Sequence, residues 1–409
     1  MLFLWLVASL VLGRTDGSSS PSARATDDAC NDIHKCRTLY DIVWPCLTTV
    51  FACIWVAVHP NMPPRPKEIA FPQNAGRFSV SWCRYQFRRV WDGHPGLRRK
   101  LVLMLIALIA PEIMVGFAAR QWCLASRFSK KHGVSLTHGF FFFMGGFVDA
   151  DGYVIVDEKQ LTESVLTAIK AVSEAQIQDK SKRDGLAKLL AITQILRVVA
   201  QSLARFNQDL AITSLEVATV AYAVVTTFTW VFWMDKPLDT DTPLRIGDAT
   251  RLPLSDRQHK RIGGHWQGIY GDESTDVPAF FARCPSHIIK NVIVPIECAV
   301  AIAFGAIHCI AWSATFPSTA QKWMWCSSAL IVTAAPVPWL VEAIPLSQSE
   351  LRSQWESLLV GAIGCLKAGG IPLYVIARLF LLVLPFVALR SLEPAVFIDI
   401  NWAQYIPHL

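Results

Sequence analysis

One stretch, Gly185–Arg205 (GLAKLLAITQILRVVAQSLAR), constrains this chain more than any other. It is apolar enough to enter a bilayer, yet it carries Gln194, Arg197, Gln201 and Arg205. At about 100° per residue these four fall within roughly 80° of one another, so a helix presents them on one face. An arginine on that face is costly against lipid. It has to meet other helices, line a water-filled cavity or snorkel to a surface. Several other apolar stretches each carry a single carboxylate. The pattern predicts a membrane protein organised around a polar interior.

Composition agrees. Only 17% of the residues are charged, against roughly a quarter in a soluble domain, and mean hydropathy is +0.36. The net charge of +6 is not gathered into a basic stripe interleaved with aromatics, so nucleic acid is excluded as a partner. Eleven cysteines, an odd number, argue against a fully disulfide-bonded framework, and no Asn-x-Ser/Thr acceptor occurs.

Met1–Leu12 (MLFLWLVASLVL) is too short to span and fits a signal-peptide core, or else a short anchor, although a positive n-region is missing. Seven spans are expected, at about Thr38–Val58, Leu101–Ala119, Gly185–Arg205, Ile212–Trp233, Ile288–Trp312, Trp323–Ile344 and Ile371–Leu389. Leu346–Lys367 begins polar and reads as an interfacial helix. From Arg65 to Lys100 there are nine Lys/Arg against Glu68 and Asp92, which places that loop in the cytosol. Seven spans then put the N-terminus outside and the C-terminus in the cytosol.

The chain divides into a leader or anchor at 1–20, a polar segment at 21–37, and two spans joined by the basic loop at 38–119. A non-cytosolic hairpin and amphipathic helix follow at 120–184. Two spans at 185–234, a polar loop at 235–287, three spans at 288–389 and a tail at 390–409 complete it. The Asp149–Gly152 turn followed by YVIVD suggests a β-hairpin, and Leu161, Val165, Ile169 and Val172 mark one stripe of a surface helix. The fold class is an all-α membrane bundle with interfacial helices and this small β element.

The phrases CRTLYDIVWPCLTTVFACIWVAVHPNMPPRP, APEIMVGFAARQW, SLTHGFFFFMGGFV, DKSKRDGLAKLLAITQ, FWMDKPLD and ARLFLLVLPFVALRSL…YIPHL carry a resemblance. Over nearly the whole mature chain they resemble a large family of uncharacterised fungal multi-pass membrane proteins. That resemblance implies origin and class, and no catalytic residue.

For chemistry, the sharpest constellation is intramembrane. Arg197, with Gln194 and Gln201, is expected to face Glu112, Glu216, Glu297 or Glu342. Three of these acids stand near prolines (Pro111, Pro295, Pro336 and Pro338) that free backbone carbonyls within a span. The set reads either as a polar substrate cavity or as interhelical ion pairs. Cys30-x3-His34-x-Cys36 offers too few, too tightly spaced ligands for zinc, and a Cys30–Cys36 disulfide competes with free thiols. No HExxH, P-loop or GxSxG occurs, Asp149-Ala-Asp151 reads as turn chemistry, and neither a metal nor a cofactor is expected.

Three functions compete. The first is a binding or transport protein for a small solute, its path lined by the Gln194/Arg197/Gln201 face. The second is a membrane-embedded enzyme, such as a biosynthetic cyclase or transferase on a lipid or isoprenoid. The third is a non-catalytic scaffold or sensor. Membrane lipid is the constant partner, a small molecule or lipid the expected ligand, and the secretory pathway (endoplasmic reticulum or plasma membrane) the location. The first reading is preferred.

Overall fold

A computed structural model describes residues 36–64, 79–150, 154–181, 185–246, 284–343 and 354–402, with positions 152, 277, 280, 282 and 405. The leader and Cys30 lie outside these residues.

In chain order the helices are α1 (Leu39–Ala57), α2 (Val80–Gly93), α3 (Pro95–Ile109), α4 (Pro111–His132), α5 (Leu136–Phe143), α6 (Glu163–Ala171) and α7 (Glu174–Asp179). Then come α8 (Gly185–Asn207), α9 (Ser214–Phe232), α10 (Ser286–Ser313), α11 (Thr319–Ala334), α12 (Val337–Ala343) and α13 (Gln354–Ala388). Six helical segments are long and apolar enough to cross a membrane. They are α1, α8, α9, α10, α11 continuing into α12, and the part of α13 from Gly361 onward. The architecture is an all-α membrane bundle of six candidate spans among the described residues, not seven.

The missing span is Leu101–Ala119, which is broken. Pro111 lacks an N–H, and its ring keeps the preceding residue out of the α region; Ala110 accordingly sits at φ −141°, ψ 72°, where α3 ends and α4 begins. Both legs of this pair are tied to the same level of the bundle. Near the start of α3, Arg99 donates to the Met62 carbonyl and Lys100 pairs with Asp239 at 2.5 Å. Well along α4, Gln121 donates to Asn61 Oδ1 at 2.8 Å and accepts from Lys236 at 2.8 Å. Lys100 to Ile109 and Glu112 to Gln121 are each about 14 Å of helix, roughly half a 30 Å hydrocarbon core. The tip meets Tyr222, midway along α9, and Arg378 of α13. The pair therefore enters the bundle and returns to the level it left.

Beyond that level α4 runs on into a second, smaller core. Its last turn carries Lys130, Lys131 and His132, and Gly133 ends it in the left-handed region at φ 66°. Phe128, Phe141, Phe142, Phe143, Phe147, Val165, Ile169 and Ile177 bury together there with Met62 and Ile246. Three of the four phenylalanines of α5 thus pack here and Phe140 packs into the main core, and the stripe on α6 faces this smaller core rather than a lipid surface. Strand β1 (Phe147–Val148) pairs in parallel with β2 (Leu244–Arg245). The expected hairpin is reduced to a turn and one bridge, Val148 to Val154, because the distant loop supplies the better strand partner.

Two further differences concern the ends. Gln354–Ala388 is a single helix running through Gly369–Gly370 and Pro372, where the sequence suggested an interfacial helix and a fresh span. The residue preceding α1 and the tail, expected on opposite faces, meet at one end of the bundle. Arg37 N donates to Phe397 O at 2.8 Å, and Cys36 bridges Ile398.

Candidate functional site

The predicted hub does not assemble. Helix α8 is the least buried of the six, and Arg197 lies on its exposed edge, with Gln194 and Gln201 half-buried beside it. Asp41 at the start of α1 is the carboxylate that feels Arg197. The four candidate acids each have other partners. Glu216 holds Arg37 through two hydrogen bonds of 2.5 and 3.2 Å; Glu297 pairs with Arg120 at 3.1 Å; Glu342 pairs with Lys367. Of the polar face on α8, Arg205 is the residue that turns inward. It donates to the carbonyls of Ala211, Val396 and Ile398, and so pins the tail.

Glu112 belongs to a different centre, at the tip between α3 and α4. A helix leaves its last carbonyls and first N–H groups without intrahelical partners, and in an apolar bundle those groups need side chains. Arg378 Nε donates to Ile109 O at 2.6 Å and Nη2 to Leu108 O at 3.3 Å. The Tyr222 hydroxyl also donates to Leu108 O and accepts from Arg378 Nη2 at 3.0 Å. The guanidinium stacks over Phe304 of α10, 4.1 Å from the ring centroid. Phe304 in turn lies against His308, whose carbonyl accepts from the Trp325 indole of α11 at 3.3 Å. Four of the candidate spans thereby close around the break.

Glu112 stands in the first turn of α4, where the helix dipole favours an anion. Its Oε1 accepts from the Tyr374 hydroxyl, while Oε2 is buried and has no hydrogen-bond partner. Arg378 acts on it electrostatically. One turn along, Gly116 leaves the room that the Glu297 carboxyl occupies; a Cβ there would collide with it. The result is a buried carboxyl with one open lone-pair site, near a fixed guanidinium and beside two phenols, at mid-depth. Such a group can take a proton, a cation or a hydrogen-bond donor. The sequence reading included Glu112 but passed over Arg378, Tyr374 and Tyr222. Arg378 is a lone cation inside an apolar run, the same signal that drew attention to Arg197.

A second polar node closes the level where the α3–α4 pair is anchored. Lys236, fully buried just after α9, donates to His59 O at 2.5 Å, Asn61 Oδ1 at 3.2 Å and Gln121 Oε1 at 2.8 Å, and lies 4.5 Å over the Trp233 ring. Burial pushes its amine well below the ordinary lysine value. Burial likewise lowers His59 to about 3, its Nδ1 donating to Ala57 O at 3.0 Å while Nε2 has no partner. Lys236 thereby fastens three segments, through His59 and Asn61 after α1, Gln121 of α4 and its own place after α9.

No curated protein and no solved structure matches this chain. A family model does match residues 125–255 and 284–409, well over half of the sequence and including Tyr374 and Arg378, and by that match the chain belongs to a family of unknown function, DUF8562.

Proposed function

We propose that this protein binds a small solute at mid-membrane and passes it across, with Glu112 as the group that meets it. One observation carries this reading: a buried carboxylate oxygen without a partner, held at the tip of a half-depth helix pair. Broken helices in transporters place their termini and polar groups at the same depth for the same purpose. Tyr374 and Arg378 orient and balance the carboxyl, and Tyr222 closes the carbonyls behind it. Gln194, Arg197 and Gln201, on the rim of α8, fall outside this site. The competing enzyme reading also needs a carboxyl beside a guanidinium, but the hydrogen bonds of Arg378 go to backbone carbonyls and a phenol rather than to an open face.

On this reading residue 37 and the tail lie together on the non-cytosolic face, a topology supported by six candidate spans and a pair that returns to its own side. The basic loop, the phenylalanine-rich core and the 235–287 loop then share the cytosolic face, supported by the Arg98-Arg99-Lys100 cluster. A cleaved leader, a secretory-pathway membrane, a fungal source and a Cys30–Cys36 disulfide complete the proposal, on the sequence features given above.

The test is native mass spectrometry of the purified full-length protein, with lipid analysis of what it retains. A small species kept by wild type and by Arg197→Leu but lost in Glu112→Gln is expected. An empty wild type whose stability falls in Glu112→Gln would make the cluster a packing device and overturn the reading.

A further inference from the structure

Helix α2 (Val80–Gly93, VSWCRYQFRRVWDG) buries no residue and stands one residue before α3 descends into the bundle. Projected at 100° per residue, Val80, Cys83, Phe87, Val90 and Trp91 share an arc of about 100°. In a helix that packs on its own protein this arc would face inward. Here it is the outward face: Val80 is 77% exposed, Phe87 64% and Val90 59%. The half-buried positions Trp82, Tyr85 and Asp92 lie on the opposite side, with half-buried Gln86 at one edge of the arc. Phe87 and Trp91 stack at 5.8 Å, forming a continuous aromatic ridge on the exposed arc. Arg84 and Arg88, both exposed, follow one edge of the ridge, and Arg89, also exposed, lies on the back. The one acid, Asp92, is engaged by Arg98 at 3.0 Å, so the arginines of α2 keep their charge for an outside partner.

We propose that α2 lies in the interfacial layer of an anionic leaflet, its aromatic ridge among the acyl chains and Arg84 and Arg88 on acidic headgroups. Three features favour lipid over a protein partner. The apolar arc continues directly into a helix that enters the bundle, through His94 and Pro95 alone. The charges edge the ridge, as they do where long cationic side chains reach back to headgroups. Their sign matches the lipid of a cytosolic leaflet. The site is separate from the Glu112 centre, and its failure would leave that centre untouched.

The experiment uses native Cys83, which lies on the ridge, in a full-length variant in which Cys30 and the other exposed cysteine among the described residues are replaced (Cys30→Ser/Cys365→Ser). A polarity-sensitive thiol label on Cys83 is read in nanodiscs of phosphatidylcholine alone and of phosphatidylcholine with phosphatidylserine. Apolar emission that strengthens with phosphatidylserine is expected. In Arg84→Gln/Arg88→Gln the inserted-to-free ratio should drop about fivefold for each charge removed, and Arg84→Lys/Arg88→Lys should restore it. Emission characteristic of water in both lipids, or equal emission in both with no effect of the arginine changes, overturns the proposal. Shielding seen only in native membranes would assign the face to a protein and overturn it equally.

Discussion

Arg378 of α13 donates from Nε to the carbonyl of Ile109 at 2.6 Å, across 269 residues of sequence. The carbonyl is free because α3 ends at Ile109, two residues ahead of Pro111, and the guanidinium is tolerated inside the bundle because it satisfies carbonyls there. The two features presuppose one another. A broken half-depth helix needs a donor from outside itself, and a buried arginine needs acceptors.

Removing that donor should therefore be costly. Arg378→Leu leaves the Leu108 and Ile109 carbonyls short of partners and Glu112 without its nearby cation, a loss of about 3–5 kcal/mol. Arg197→Leu should cost within about 0.5 kcal/mol, or stabilise, since it removes an exposed cation from an apolar helix. Thermal unfolding of both variants in one detergent compares them directly, and equal losses would restore Arg197 as the hub.

Arg205 is expected to act as a latch rather than a site. Arg205→Met frees the Ile398 carbonyl and leaves Val396 O to Arg37 Nε alone, at 2.7 Å, and the tail should become more sensitive to limited proteolysis after Ser391 while the solute retained at Glu112 persists. Intact resistance to protease would refute the latch.

The pH dependence of stability has a definite sign at His59. Its folded value of about 3 lies below the unfolded value of about 6.5, so the unfolded chain binds the extra proton between them. The stability tied to neutral His59 is complete above about pH 6.5 and is lost as pH falls toward about 3. His59→Gln should flatten that part of a plot of unfolding midpoint against pH. An unchanged slope would place the proton elsewhere.

The Glu297 carboxyl of α10 occupies the room that Gly116 of α4 leaves. Gly116→Val forces the Glu297 carboxyl away and should cost about 1–3 kcal/mol, more than the same change at Gly93, where nothing stands within 4 Å. Comparable losses at both positions would contradict the packing.

Six of the seven expected spans were legible because each is a predominantly apolar stretch whose length matches the bilayer. Leu101–Ala119 looked alike in composition. Its break rests on one proline acting on Ala110, and nothing in hydropathy records that α4 then turns back. Residue 37 and the tail share one end of the bundle, where a count of seven puts them on opposite faces. The site was half legible. Glu112 was picked out as an acid beside a proline, but charge in an apolar run says only that a partner exists. Arg197 and Arg378 give the same signal, and only packing decides which faces inward. The stripe of α6 was readable as amphipathic, while its partner, the phenylalanine cluster of α5, lies in a short apolar run that has no period to show which core it enters.

The most direct test is mapping by mass spectrometry of carboxyls modified by a hydrophobic carbodiimide in the full-length protein. Such a reagent consumes carboxyls that exchange a proton inside an apolar bundle and spares those locked in ion pairs. Glu112 should be modified, with protection by its retained solute, while Glu216, held by Arg37, stays unmodified. Modification of Glu216 with Glu112 inert would contradict an open carboxyl at the helix break, and with it the proposed site.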